Sequence, residues 1–445
     1  MNKIEQLREE IIKSETFCFY PFTQLSTNPS GHFKPCCYYV GAMYHPNKKV
    51  IGILSGDSFS TAWNSDHMIK LRKNLHQGVV PEACSRCVRD GDVSMRNRSI
   101  KEYKKDYDVL NEVYETIQNN YHAKHLPSYL ELKPSNLCNL KCVMCNSYDS
   151  SQIAKELQEL TTKFGGITIS GGRFMQVSDT PGMKESNSAF STDLPDWSDN
   201  EEVWDSFTKM APGLKTLSFA GGEPTIMPFV LRALRYLVDN DYAKNITVFL
   251  SSNFTNLNKH FLELMISFKK FELIASIDGF GKVNDYARYP SKWSQVSKNY
   301  LEAKNYMKHP NVKILVNITV TLLNILNLDE LLYFIEDRAK EYPYYKEWPY
   351  NINLIQHPKE QQISLLPPHL KDLATARLKK YLETSDVIKD SPGLESKIYQ
   401  LLNELDKPDT NLELLEVFKN RIKILDEHRE INITEYIPDI KELFK

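Results

Sequence analysis

Between positions 138 and 145 the chain reads CNLKCVMC, which sets Cys138, Cys142 and Cys145 within eight residues. Three thiolates carried on one short loop can hold three irons of a cubic 4Fe–4S cluster and leave the fourth iron without a protein ligand, open to an atom of a bound molecule. Zinc also takes thiolates, but a structural zinc site closes with four ligands, and no histidine lies beside this triad to complete one. The remaining reading is three separate core cysteines. The C-x3-C-x2-C spacing is too tight for side chains that point separately into a core.

The other cysteines, Cys18, Cys36, Cys37, Cys84 and Cys87, all precede the triad, and none follows Cys145. A disulfide scaffold would spread them along the chain. In a reducing compartment, clustered cysteines serve as metal ligands or catalytic thiols. The N-terminal stretch MNKIEQLREEIIKSE is charged and lacks an apolar signal core, and no run approaches the roughly 20 apolar residues of a membrane span, so a cytoplasmic protein is expected. Lys plus Arg number 55 against 57 Asp plus Glu, so no global field draws the chain to nucleic acid or to an anionic membrane. With 445 residues and 41% hydrophobic content it can bury a large core in two or three domains.

The elements that must position these residues are legible from residue 128 onward. SYLELKP, LKTLSFA, NITVFLSSN, FELIASIDG, NVKILVNITV and NINLIQH read as six strands. Between them FVLRALRYLVDN, LNKHFLELMISF, SQVSKNYLEAKNYM and LDELLYFIEDRAKEY carry apolar residues at helical spacing. Such alternation predicts an α/β fold with parallel strands and crossover helices, either a doubly wound sheet or an open barrel, with ligands at the C-terminal ends of the strands. The segment 165–200, rich in Gly, Ser and Asp, reads as an insertion: a flap over the site or a surface loop. Residues 17–99 look too irregular to build a core without a metal staple, apart from a short N-terminal helix before them and a helix around 62–77. After residue 365 the chain is strongly helical. Domain boundaries are expected at 1–105 (cysteine-rich module), 106–127 (linking helix), 128–360 (core) and 361–445 (helical extension).

C-x3-C-x2-C directly after the first of six strands resembles the radical S-adenosylmethionine (radical SAM) superfamily. The resemblance implies a partial (β/α)6 TIM-like barrel in which the open iron chelates the amino and carboxylate groups of SAM, and one-electron reduction cleaves SAM to a 5′-deoxyadenosyl radical. Further motifs match in order. Gly221, Gly222, Glu223 and Pro224 resemble the segment that holds the SAM amino group. Ser252 and Asn253 resemble a polar pair after the third strand. ASIDG, with Ser276, Asp278 and Gly279, followed by Arg288, resembles a segment in which the serine touches the ribose and the arginine the SAM carboxylate. Met144 stands where the superfamily often carries an aromatic residue near the adenine, and its polarizable side chain can pack there instead.

The early cysteines, C-x17-C…C-x2-C, resemble the auxiliary-cluster modules called SPASM and, in shortened single-cluster form, twitch. The resemblance implies that Cys18, Cys36, Cys84 and Cys87 close a second 4Fe–4S cluster. Cys37 is left over, although it and Cys36 could trade places, and a zinc site fits the same spacing. The module precedes the core here, whereas in the family it usually follows.

The expected activity is hydrogen abstraction from a substrate, with a peptide or protein preferred over a sugar or small alcohol, and a flavodoxin or ferredoxin as electron donor. A non-enzymatic zinc or iron–sulfur scaffold is the rival class. An RNA-binding role is not expected, since the local run Lys292, Lys298, Lys304 and Lys308 has the spacing of a solvated helix face. Glu131, on the first strand, and His357, after the sixth, could move a proton near the site but read as a salt-bridged glutamate and a satisfied core histidine.

Overall fold

The computed structural model describes residues 2–91, 94–164, 196–339, 349–389, 391–408 and 411–444. The proposed insertion therefore lies outside the described residues except for positions 196–200. The chain forms two compact units, one of residues 1–135, 194–249 and 267–269, the other of 136–193, 250–266 and 270–445.

All six expected strands are present, and two more join them. They are β1 (Gln24–Thr27), β2 (Phe33–Lys34), β3 (Tyr129–Leu132), β4 (Thr216–Phe219), β5 (Thr247–Ser252), β6 (Lys270–Ser276), β7 (Val312–Val320) and β8 (Tyr350–Leu354). The sheet order is β2-β1-β3-β4-β5-β6-β7-β8. From β3 to β8 spatial order equals chain order, with no reversal. A doubly wound sheet needs a switch point where the order reverses, so this winding excludes it. Helices Pro228–Asp239, Lys259–Met265, Trp293–Lys304 and Leu328–Ala339 fall where helical periodicity placed them.

In the first unit, β1 pairs parallel with β3 (Ser26 opposite Glu131) and antiparallel with β2 (Ser26 opposite Lys34). These strands have four and two residues, too short for a period-two signal to rise above the surrounding turns. The cysteine-rich segment is also better packed than its composition suggests. Phe17, Phe19, Tyr20 and Phe22 bury themselves against Leu7 and Ile11 of helix Lys3–Lys13 and Val109, Leu110 and Val113 of helix Tyr107–Gln118. The expectation that it lacks a core is thus corrected: its apolar partners come from helices on either side of it. The expected helix around 62–77 is two, Phe59–Trp63 and Asp66–His76, the second capped by Ser65. On it Arg72 is fully buried, 4.3 Å over the Trp63 ring, and donates to the carbonyls of Pro21, Trp63 and Tyr121.

In the second unit β6, β7 and β8 are parallel. Strands covered on both faces read as continuous apolar runs. Here they alternate: Phe271, Leu273 and Ala275 of β6 and Val312 to Val320 at every second position of β7 are buried, while their neighbours are partly open. The open face carries a polar row, with Ser276 opposite Asn317 and Asn317 opposite Asn351. The C-terminal region is helical as expected, in Pro368–Thr384, Pro392–Leu405 and Leu412–Arg429. Lys292, Lys298 and Lys308 are exposed, but Lys304 is buried, so the lysine run is not a single solvated face. No described helix is long and apolar enough to cross a membrane.

Candidate functional site

Four N-terminal cysteines meet around one space in the first unit. Cys18 precedes helix Tyr20–Thr23, with its sulfur 3.6 Å from the Ser99 hydroxyl; Cys36 follows β2; Cys84 and Cys87 sit at the start of helix Ser85–Asp90. All four line a cavity of about 280 Å³, walled by Leu71, Leu75 and Met95. Among the described residues no three His, Cys, Asp or Glu groups stand close enough to hold a single ion. The cysteines border a space instead, as a cluster several atoms across requires and a lone zinc ion does not. Burial pushes the thiol of Cys18 up to about 11, that of Cys84 up to about 12, and that of Cys36 well above its ordinary value. Loading a metal group there must displace protons.

Cys37 does not line this cavity. Burial and a hydrogen bond from its thiol to Glu131 push it up to about 12. Glu131 also accepts from Gln24 Nε2 at 2.8 Å and from Ser26 Oγ at 3.1 Å. Hydrogen bonds, rather than the expected salt bridge, hold Glu131, and His357 is exposed rather than the expected core histidine, because the chain has left β8 for the surface there.

Also in the first unit, the β4 strand runs into Gly221, whose φ of +111° is open to glycine alone. A Cβ there would stand 2.8 Å from the Ser135 carbonyl oxygen. Glu223 is buried and caps the single turn Pro224–Ile226, accepting from Thr225 N at 3.1 Å and Thr225 Oγ1 at 2.6 Å.

The second unit holds the triad. Cys138 and Cys142 are buried with Leu140, and Met144 and Cys145 pack against them. The loop is fastened as a strand would be: Lys141 N–H donates to Tyr289 O at 2.6 Å and Val143 N–H to Ala287 O at 2.9 Å. Ser151 Oγ accepts from Cys138 N–H at 3.2 Å, and Ser150 Oγ donates to Leu140 O at 2.8 Å. Asn253 reaches the same loop, its Nδ2 donating to Asn139 Oδ1 at 2.9 Å, while Ser252 Oγ accepts from Phe254 N–H at 3.1 Å.

The segment after β6 sets a cation beside the triad. Arg288 Nε lies 2.7 Å from Asp278 Oδ2, and Nη1 lies 4.0 Å from Cys142 Sγ. Burial works against the guanidinium charge, but Asp278 and the Cys142 sulfur outweigh it and hold Arg288 protonated. Burial likewise raises the Cys142 thiol, with Arg288 opposing it. Asp278 is fully buried; its Oδ1 accepts from Thr319 N–H at 2.7 Å and its carbonyl from Asn324 Nδ2 at 2.6 Å. This carboxylate therefore acts through Arg288, which it positions. Gly279 has a packing reason, since a Cβ would meet Val283 Cγ1 at 2.6 Å.

Several residues that touch the triad loop escaped the sequence reading, among them Gln361, Arg421 and Arg429, which reach its carbonyls from the C-terminal region. A signal existed for the two arginines. Arg421, Leu425 and Arg429 recur at i, i+4 and i+8 on helix Leu412–Arg429, which puts both arginines on the buried stripe.

Comparisons with known proteins agree with this organisation. The family model for the radical SAM superfamily matches residues 132–337, and that for the SPASM iron–sulfur cluster-binding domain matches residues 18–88. No curated protein matches the chain. Among solved structures, native anSMEcpe with bound AdoMet is 17% identical at a TM-score of 0.36, over 58% of this chain and 60% of that one. Streptococcus suis SuiB bound to S-adenosylmethionine is 13% identical at a TM-score of 0.34, over 65% of this chain and 50% of that one. SuiB bound to the precursor peptide SuiA is 14% identical at a TM-score of 0.34, over 74% of this chain and 66% of that one. The chain thus matches only about half to two thirds of the length of these proteins.

Proposed function

We propose, from the match of residues 132–337 to the radical SAM superfamily model and of residues 18–88 to the SPASM iron–sulfur cluster-binding model, that the chain is a radical SAM enzyme that abstracts hydrogen from a peptide or protein substrate. The SAM-binding 4Fe–4S cluster supplies reductive cleavage of SAM to a 5′-deoxyadenosyl radical. The residues of the chain bind and orient. Cys138, Cys142 and Cys145 hold the SAM-binding cluster, and Cys18, Cys36, Cys84 and Cys87 the auxiliary one. Gly221 to Pro224 take the SAM amino group through backbone and carboxylate, and Arg288, kept charged by Asp278, takes the carboxylate. Ser276 meets the ribose, Met144 packs at the adenine, and Ser252 and Asn253 steady the triad loop. The sheet curls as a partial (β/α)6 barrel, and a cytoplasmic flavodoxin or ferredoxin provides the electron.

The observation that carries this reading is the triad loop itself: three sulfurs on one eight-residue loop with the Arg288 cation 4.0 Å from Cys142. A peptide substrate is favoured by the open row Ser276, Asn317 and Asn351, where Asn351 and Asn353 both donate to Asn317 Oδ1, at 3.1 and 2.9 Å. Side-chain amides offer neutral donors and acceptors together, which matches peptide groups.

The test is iron and sulfide content with EPR after anaerobic reconstitution, comparing the intact chain with a Cys138→Ala, Cys142→Ala, Cys145→Ala variant. About eight irons against about four, with the lost signal perturbed by SAM, is expected for two 4Fe–4S clusters. A colourless zinc protein overturns the reading. Formation of 5′-deoxyadenosine stimulated by peptides supports the substrate class, and stimulation by sugars or small alcohols alone moves the protein to the dehydrogenase class.

A further inference from the structure

We propose that the C-terminal extension sets the reduction potential of the cluster on the triad loop by holding two of the loop's carbonyls turned outwards. This rests on the reading of Cys138, Cys142 and Cys145 as a 4Fe–4S site. The Val143 carbonyl accepts from Gln361 Nε2 at 2.9 Å and from Arg421 Nη2, and the Lys141 carbonyl accepts from Arg429 Nη2 at 2.8 Å. On the opposite edge the N–H groups of the same two residues donate to Tyr289 and Ala287. Residues 141 and 143 are thereby tied down at both backbone groups.

The consequence falls on the residues between them. Both following peptide bonds are trans, and across a trans peptide the N–H points opposite to the carbonyl. Pinning the carbonyls of Lys141 and Val143 therefore aims the N–H groups of Cys142 and Met144 away from the tail. That of Cys142 bonds its own sulfur; independently of the pinned peptides, Leu140 N–H donates to Cys138 Sγ at 3.5 Å on the same loop. Hydrogen bonds to cluster sulfurs are among the levers that set the potential, because they favour the more negative, reduced state. A loop held in this conformation is easier to reduce.

The donors are themselves fixed. Arg421 pairs with the fully buried Glu360 at 3.1 Å. Arg429 forks onto Glu156 at 2.9 and 2.7 Å and lies 4.8 Å over the Tyr289 ring. Asp426 on the same helix accepts the Tyr286 hydroxyl at 2.7 Å. Buried ion pairs can often be exchanged for apolar packing without loss of stability. Two of them converging on the carbonyls of one metal-binding loop point to positioning.

The experiment is an EPR-monitored redox titration of the reconstituted full-length chain. Gln361→Leu removes a neutral donor, and Arg421→Met with Glu360→Gln removes a charge pair without leaving either charge unpaired. At the potential that half-reduces the wild-type SAM-binding cluster, the reduced-to-oxidised ratio is expected to fall about threefold in the first variant. In the second it is expected to fall about tenfold, which is 59 mV for one electron. Iron content and the auxiliary cluster's ratio stay unchanged. Ratios unmoved in both variants at full iron content overturn the clamp. If the paired variant loses iron from the triad, the outcome rests on Gln361→Leu alone. A wild-type chain with no cluster that depends on the triad overturns the reading of the triad, and the clamp with it.

Discussion

Arg288 Nε stands 2.7 Å from Asp278 Oδ2 in an ion pair whose carboxylate is fully buried, and the other end of the guanidinium lies 4.0 Å from Cys142 Sγ. One side chain thus links the segment after β6 to the cysteine loop. Removing one partner of a buried pair strands the other at a cost of about 3–5 kcal/mol. Asp278→Asn is expected to lower the thermal midpoint of the metal-free protein accordingly. The double variant Asp278→Asn, Arg288→Met should recover part of that loss, and a double variant no more stable than the single one would contradict the pairing.

Cys36 borders the cavity and Cys37 faces Glu131. Cys37→Ser should therefore leave the iron content of the Cys138, Cys142, Cys145 triple-alanine background at about four per chain, and Cys36→Ala should abolish it. Iron lost through Cys37→Ser alone would reverse the ligand assignment.

Gly221→Ala combines a positive φ with a Cβ 2.8 Å from the Ser135 carbonyl. The left-handed conformation costs about 1–2 kcal/mol for an L-residue, and the clash with backbone adds to it. SAM affinity, measured as the SAM-induced change in the EPR signal, should weaken at least tenfold while both clusters still load. Unchanged affinity would remove this turn from the SAM site.

Arg72→Met deprives the buried carbonyls of Pro21 and Trp63, and the part-buried carbonyl of Tyr121, of a donor. Each unsatisfied buried group costs about 1–3 kcal/mol. The expected result is loss of the auxiliary cluster's iron on mild heating before that of the triad, read by EPR at successive temperatures. Parallel loss of both signals would show that Arg72 does not act on the module alone.

Much of this was legible in the linear chain because it depends on local spacing. C-x3-C-x2-C confines three sulfurs to one loop in any fold. Six runs alternating with helical periods dictate parallel strands joined by crossovers. Each of those strands and each of the four helices between them appears in the structure. The short strands β1 and β2 were not legible, since four and two residues carry too little pattern. Nor was the packing of the cysteine-rich segment, whose apolar partners lie on helices Lys3–Lys13 and Tyr107–Gln118.

The sequence by itself determined the kind of chemistry: which residues can bind iron, and the order in which the motifs follow the strands. Tertiary structure decided which groups meet across long separations. It set Cys36 at the cavity and its neighbour Cys37 against Glu131, a pair that the sequence left able to trade places, because two adjacent side chains diverge according to the backbone turn that carries them. It alone made Asp278 the partner of Arg288, and brought Arg421 and Arg429 to carbonyls nearly 300 residues earlier. Spacing constrains only what a few covalent links can reach; contacts between distant segments are set by how helices and strands pack, and no local pattern encodes them.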